Sequence, residues 1–293
     1  MIYLFTAFYD EAQPFIMQFH LKKLSGRIRF QQFYSEAANI LLTITGTGGI
    51  AAAAAVGSVC TERPPGPYDF LLNIGICAGT QAQGSGFLIH KLTERETGRT
   101  FYPDMLYCHR FEEAELVTGM IPKRCSIDKD CCQRLEDMDS VGVCLYDMEG
   151  AALYQAGAYY FAPHQMLFFK IVSDNGDTEN LNHAAVRRFA GLHAKPVAAL
   201  IESLLQLAQD AQGAADLCGK AQEQGEQWAC QLGRDLHCSK TMEHTLDQLL
   251  RYAALTGVDA EVAVRRLYEE RRLPCKDKRE GKQCFEELKR QLL

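Results

Sequence analysis

The sequence has no apolar run approaching the ~20 residues of a membrane-spanning helix, so no contact with the membrane interior is expected. It has no excess of positive charge either. The formal net charge of -6 argues against a general nucleic-acid binder, a class that is usually basic. The opening stretch, MIYLFTAFYDEAQPF, lacks a basic lead and meets Asp10 and Glu11 early, so no secretory signal is read there. The twelve cysteines form no C-x-x-C pair, and the adjacent Cys131 and Cys132 cannot easily bridge each other. Reduced thiols in a cytoplasmic protein follow as the expectation. No internal repeat is visible.

What the chain does have is a series of short, continuously apolar runs. They are IYLFTAF (2–8), NILLTI (39–44), DFLLNI (69–74), GFLIHKL from Gly86, VGVCLYD before residue 148, and MLFFKIVSD from Met166. Helical stretches separate several of them. This alternation predicts an α/β fold with a mostly parallel central sheet covered by helices on both faces. Ligands of such sheets sit beyond the carboxyl ends of the strands. Four motifs fall at those ends: Asp10-Glu11, the glycines after Thr45, Asp147 to Glu149, and Ser173-Asp174.

Each motif has a plain structural reading. In CLYDMEGAALYQAG, Asp147 is placed to cap the helix that follows, where negative charge is welcome. ITGTGGIAA has the strand–G-x-G-x-x-A–helix form of a dinucleotide fingerprint. However, it does not follow the first strand, and Glu62, at the spacing of the usual acidic partner, lies in the loop ERPPGP. A tight turn, or a glycine loop facing a smaller ligand, fits better.

The ordered set TAFYDEAQ, TGTGGIAAA, NIGICAG, DMEGAA and VSDNGD resembles the purine nucleoside phosphorylase and nucleosidase superfamily. Within it the chain looks most like the 5′-methylthioadenosine/S-adenosylhomocysteine nucleosidases. The resemblance covers roughly residues 1–210. It implies that Glu149 accepts hydrogen bonds from the ribose 2′- and 3′-hydroxyls, with Met148 packed on the sugar. A carboxylate suits two vicinal hydroxyls, and its charge favours a sugar turning oxocarbenium-like. The resemblance also implies that Asp174 protonates the departing purine, oriented by Ser173, with Asn175 and Asp177 as rival candidates. Glu11 matches the base that activates water, uncertain by one residue because of Asp10, and Thr45 matches a small hydroxyl residue near nucleophile and sugar.

Phosphorylases of the superfamily hold phosphate with arginines, one of them just before the third strand's glycine turn. That position here is Asn73, and FYDEAQP has no arginine. Arg27 and Arg29 are the only nearby basic residues. Water is therefore the expected nucleophile, with phosphorolysis as the alternative. The sequence also departs from the family. The segment between the first two strands is short, Gly49 stands where many relatives have lysine, and Ile76-Cys77 replaces smaller or polar residues. Phe101 or Tyr102 could wall the base pocket or simply pack.

The amphipathic stretch 189–208 predicts a helix with Val197, Ile201, Leu204, Leu205 and Ala208 on one face. QDAQGAAD (209–216) reads as a linker, and 214–293 as a helical appendage to a catalytic domain of residues 1–213. The appendage carries 14 basic and 14 acidic residues. Its stripes are expected to cover the α/β domain or a second subunit. Cys218, Cys230, His237, Cys238, Cys275 and Cys284 lack the spacings of structural zinc, and the basic run from Arg265 to Arg290 reads as a solvated face. The expected protein is a cytoplasmic, homo-oligomeric enzyme hydrolysing the N-glycosidic bond of a purine ribonucleoside such as a 5′-modified adenosine. It needs no metal or organic cofactor, because carboxylates serve both ends of the reaction. A catalytically inactive nucleoside-binding or assembly protein is the alternative from another class.

Overall fold

A computed structural model describes residues 1–25, 29–120, 143–176 and 182–292, with side chains for all of these except 216–227, 254 and 255. Arg27, Asp177, Cys131 and Cys132 lie outside the described residues, and so does the side chain of Cys218.

The strands are β1 (Ile2–Thr6), β2 (Lys22–Lys23), β3 (Gln31–Ser35), β4 (Ile40–Ile44), β5 (Phe70–Ala78), β6 (Gly86–Glu94), β7 (Thr100–Phe101), β8 (Glu112–Thr118), β9 (Cys144–Asp147) and β10 (Met166–Asp174). The helices of the first unit are α1 (Tyr9–Gln18), α2 (Gly49–Glu62), α3 (Gly150–Gly157) and the first part of α4 (His183–Asp235), which continues into the second. Those of the second are α5 (Lys240–Thr256), α6 (Ala260–Glu269) and α7 (Lys278–Leu292).

The sheet is not the mostly parallel layer that the apolar runs suggest. Its order is β10-β6-β8-β9-β5-β1-β4-β3-β2, and β10 also pairs with β5, which closes one part into a barrel. Pairs β1–β4, β1–β5, β5–β10, β6–β8 and β8–β9 are parallel. Pairs β2–β3, β3–β4, β5–β9, β6–β7 and β6–β10 are antiparallel. A continuous apolar run reports burial on both faces, and a barrel wrapped by helices supplies that as well as a parallel sheet does. In β10, Met166, Phe168 and Val172 enter one core and Leu167, Phe169 and Ile171 enter another. The odd member is Lys170, which is fully buried in the middle of the strand. β5 also continues through Gly75 to Ala78, where the sequence suggested a glycine turn.

Helix α2 buries Ala52, Ala55, Val56, Val59 and Cys60, one stripe at helical spacing. Its small residues let α3 approach closely, and a Cβ on Gly49 would lie 3.0 Å from the Cβ of Ala152. The first half of α4 places Phe189, Ala190, Ala194, Val197, Leu200, Ile201 and Leu204 against Leu88, Leu167, Phe169 and Ile171. The stretch 209–216 is no linker, because α4 runs through it without a break. Alanine and glutamine are strong helix formers, and one glycine costs only about 1 kcal/mol.

Chain contacts divide the protein into Met1–Ala211 and Gln212–Leu293. The second unit has its own core, including Leu232, Leu236, Leu246, Leu249, Phe285 and Leu288. The stripes expected to cover other surfaces therefore cover one another. Asp259 caps α6 by accepting from the N–H groups of Glu261 and Val262, and Gly257 ends α5 with a left-handed φ of 73°. Along the basic run, Arg265, Arg266 and Arg272 pair with Glu261, Glu270 and Glu287. No helix among the described residues is long and apolar enough to cross a membrane.

Candidate active site

The carboxyl-terminal end of β5 is the meeting point. Ala78 is in register with Asp174 of β10 on one side and with Tyr146 of β9 on the other. The N–H of Ile76, two residues earlier, donates to Glu11 Oε1 at 2.8 Å. Three loops carrying carboxylates thus converge on one strand end.

Glu11 sits in the first turn of α1. Its Oε2 accepts from the N–H groups of Ala7 (2.8 Å) and Phe8 (2.9 Å), the reach-back of an N3 glutamate to its cap. The bond from Ile76 is no part of helix capping. Glu11 is 2% exposed, and burial pushes its carboxyl pKa up against the pull of these N–H groups and of Lys170. The neighbouring Asp10 is differently placed. Its two oxygens accept from Arg187 Nη2 (2.6 Å) and His183 Nδ1 (2.8 Å) of α4, and the Arg187 hydrogen bond, first among several causes, lowers its pKa. Glu11, and not Asp10, faces the strand ends.

Asp147 and Glu149 divide two roles between them. Asp147 accepts from Thr118 Oγ1 at 2.6 Å and from the Gly150 N–H at 2.8 Å, and it pairs with Lys170 Nζ at 2.8 Å. It sits at the start of α3 and takes the Lys170 ammonium directly. Glu149 makes one strong bond, accepting from the Gly48 N–H at 2.6 Å. Its pKa is pushed up to about 7, chiefly by burial and then by Asp147, against Lys170 and Gly48. The glycine turn after Thr45 thus spends its Gly48 amide on a protein carboxylate and not on a nucleotide phosphate.

Lys170 is the residue that sequence reasoning passed over. A lysine within MLFFKIVSD was the available signal, because a charge in a doubly buried strand must be paired. Burial alone would lower its pKa, but Asp147, Glu149 and Glu11 shift it upward overall. A Cβ on Gly75 would lie 3.1 Å from Lys170 Nζ and 3.4 Å from Glu11 Oε1, so glycine keeps the gap between them open.

At the β10 end, Ser173 Oγ donates to Asp174 Oδ2 at 2.6 Å, with the Cys77 carbonyl 3.2 Å away as a second acceptor. The Gly176 N–H donates to Asp174 Oδ1 at 2.6 Å. The rival Asn175 is exposed. Thr45 is buried beside β1, and its hydroxyl donates to the Gly46 carbonyl at 2.7 Å, with the Thr6 carbonyl 3.3 Å away as a second acceptor. Met148 is half-buried between the two acids. Asn73 donates to the Phe5 carbonyl at 3.1 Å, and Arg29 is exposed. Phe101 packs on Tyr154 with ring centroids 5.1 Å apart, whereas Tyr102 is exposed.

His237 binds the Cys275 carbonyl at 2.9 Å, and no group of metal-ligating side chains is found among the described residues. A cleft of about 820 Å³ lies elsewhere, between residues 108–111 and the α4 face carrying His193, Leu200 and Ser203. It shares no residue with the carboxylate cluster.

A scan against protein-family models finds no match, and a search of curated proteins finds no relative. Solved structures do match. The protein shares the nucleoside phosphorylase/nucleosidase fold with them over about two thirds of its length. The 5′-methylthioadenosine/S-adenosylhomocysteine nucleosidase of Neisseria meningitidis superposes with a TM-score of 0.54 at 17% identity, over 68% of this chain and 98% of that one. The corresponding nucleosidase of S. pneumoniae gives 0.55 at 15%, over 69% and 99%. A futalosine hydrolase mutant of Helicobacter pylori gives 0.51 at 12%, over 70% and 98%.

Proposed function

We propose that this protein hydrolyses the N-glycosidic bond of a purine ribonucleoside, with a 5′-modified adenosine as the preferred class. The observation that carries the reading is the convergence of Glu11, Glu149 and Asp174 on the end of β5, with Lys170 beside the two glutamates. The fold shared with nucleosidases, at strand ends where such sheets hold ligands, supports it.

The charge balance fits this chemistry. Glu11, Asp147 and Glu149 surround Lys170, so three carboxylates face one ammonium in a buried site. A sugar acquiring positive charge as its glycosidic bond breaks supplies the missing cation, and the cluster is in place before the reaction. Glu149 takes the ribose hydroxyls on the lone pairs that Gly48 leaves free, and Met148 packs on the ring.

Glu11 acts as the base. A carboxylate has about four acceptor positions, and backbone N–H groups fill three of them. The remaining position on Oε1 belongs to the attacking water. The upward pKa shift, caused by burial, makes Glu11 a stronger base toward the water's proton. Thr45 has given its hydroxyl proton to a backbone carbonyl and can accept from water or sugar.

Asp174 protonates the leaving purine. Its partner Ser173 has two acceptors within reach. When Asp174 carries the proton and offers it to the purine, the Ser173 hydroxyl turns to donate to the Cys77 carbonyl. After transfer it turns back and donates to the carboxylate. No cofactor takes part in this scheme.

The test is release of free base from a panel containing 5′-methylthioadenosine, adenosine and inosine, with and without phosphate. Base release independent of phosphate is expected. Strict dependence on phosphate, with formation of a sugar 1-phosphate, would replace water as the nucleophile. No release from any substrate would overturn the reading.

A further inference from the structure

The hydrolase reading leaves Asp10 unused, yet Asp10 is the most specifically held of the acids near the surface. It lies next to Glu11 in the first turn of α1. Its side chain is 14% exposed, and each carboxylate oxygen has its own partner. Both partners come from the first turns of α4, the helix that follows the Ser173-Asp174 strand end in the chain. Arg187 supplies a permanent cation. His183, 81% exposed, adds a second donor.

An isolated exposed ion pair contributes little to stability. This one joins the helix turn that carries Glu11 to the start of α4. Resting on the hydrolase reading, we propose that Asp10 is a positioning residue. Through Arg187, and secondarily His183, it fixes the first turn of α1 against the start of α4 and so holds Glu11 in place at the end of β5. Asp10 itself touches neither substrate nor the reacting atoms. Its consequence belongs in kcat, because the base must be placed for the transition state, and small misplacements cost rate steeply.

The experiment compares the full-length protein with Asp10→Asn, Arg187→Gln, their double variant and the swapped pair Asp10→Arg/Arg187→Asp. Each single change is expected to lower kcat about tenfold, well short of the ~100-fold that a 1 Å misplacement can cost, with KM changed less than about twofold. The double variant should be no worse than the poorer single, and the swap should recover part of the loss. His183→Ala should cost less than either. Hydrogen exchange, measured without substrate, should show faster exchange in the first turns of both α1 and α4 in Asp10→Asn. Unchanged exchange and unchanged kcat in Asp10→Asn, alongside an inactive Glu11→Gln control, would overturn the proposal. Additive losses in the double variant would also overturn it, since the two residues would then not act through each other. If the wild type hydrolyses nothing, the hydrolase reading fails first and takes the purpose of the tie with it. The exchange data still report whether the tie orders both turns.

Discussion

Glu149→Gln should make the protein more stable at pH 8 while impairing turnover. The carboxyl pKa rises from 4.5 to about 7 on folding, with burial the first cause. Each tenfold rise in proton affinity corresponds to about 1.36 kcal/mol, so keeping this group ionised in the fold costs about 3 kcal/mol. That figure already includes the opposing help of Lys170 and the Gly48 N–H. The sign follows from proton binding. Between about pH 4.5 and 7 the folded state holds more protons than the unfolded chain, so the wild type loses stability as pH rises through that window. Glutamine has nearly the same shape and no charge to bury. Its advantage should be about 3 kcal/mol at pH 8 and fall below ~1 kcal/mol at pH 5. Urea unfolding of both proteins at several pH values measures the difference, and other titrating groups largely cancel. A variant less stable than wild type at pH 8, or an advantage that does not shrink toward pH 5, would refute the reasoning.

Three further outcomes are expected. Asp174→Asn should lose ~10²–10⁴ in kcat, the usual worth of a general acid, with nucleoside binding measured by calorimetry largely kept; wild-type turnover on every cleavable substrate would remove Asp174 from the mechanism. Lys170→Met should cost about 3–5 kcal/mol, because it leaves Asp147 as an unpaired buried charge, whereas Lys170→Met/Asp147→Asn should recover much of that loss in thermal unfolding. In the second unit, a Cβ on Gly281 would lie 1.9 Å from the Leu236 carbonyl oxygen, so Gly281→Ala should destabilise that unit by about 3 kcal/mol or more, seen as lost helical circular dichroism at lower temperature.

The elements are legible where one side-chain pattern decides them. Continuous apolar runs locate β1, β4, β5, β6 and β10, and helical spacing locates the apolar face of α4 and the cap at Asp259. Barrel closure is not legible. It depends on β10 meeting both β5 and β6, and on β9 pairing with β5 at Ala78, pairings between distant segments that leave no mark on local periodicity. The expected linker at 209–216 is helix because polarity alone does not make a loop, and its alanines and glutamines favour helix. Lys170 escapes notice for the opposite reason. Its neighbours make the segment an apolar strand, and its charge is the exceptional feature. Asp147 and Glu149 stand together in the sequence, and only their hydrogen-bond partners separate them.

That separation bears on which carboxylates do chemistry. Asp147 has its charge balanced within the protein, with Lys170 paired to it and Thr118 and the Gly150 N–H also on its two oxygens. Glu149 has one N–H donor, a like-charged neighbour and a buried position. A fold selected for stability alone would do better with an amide there. Glu11 goes beyond helix capping as well, since its third donor comes from β5 and its side chain opens onto the gap over Gly75. Both acids are held in a state that the protein itself satisfies only in part. On the hydrolase reading, a sugar turning cationic would add positive charge beside Glu149 to that of Lys170, and an attacking water would add a second donor on Glu11 Oε1.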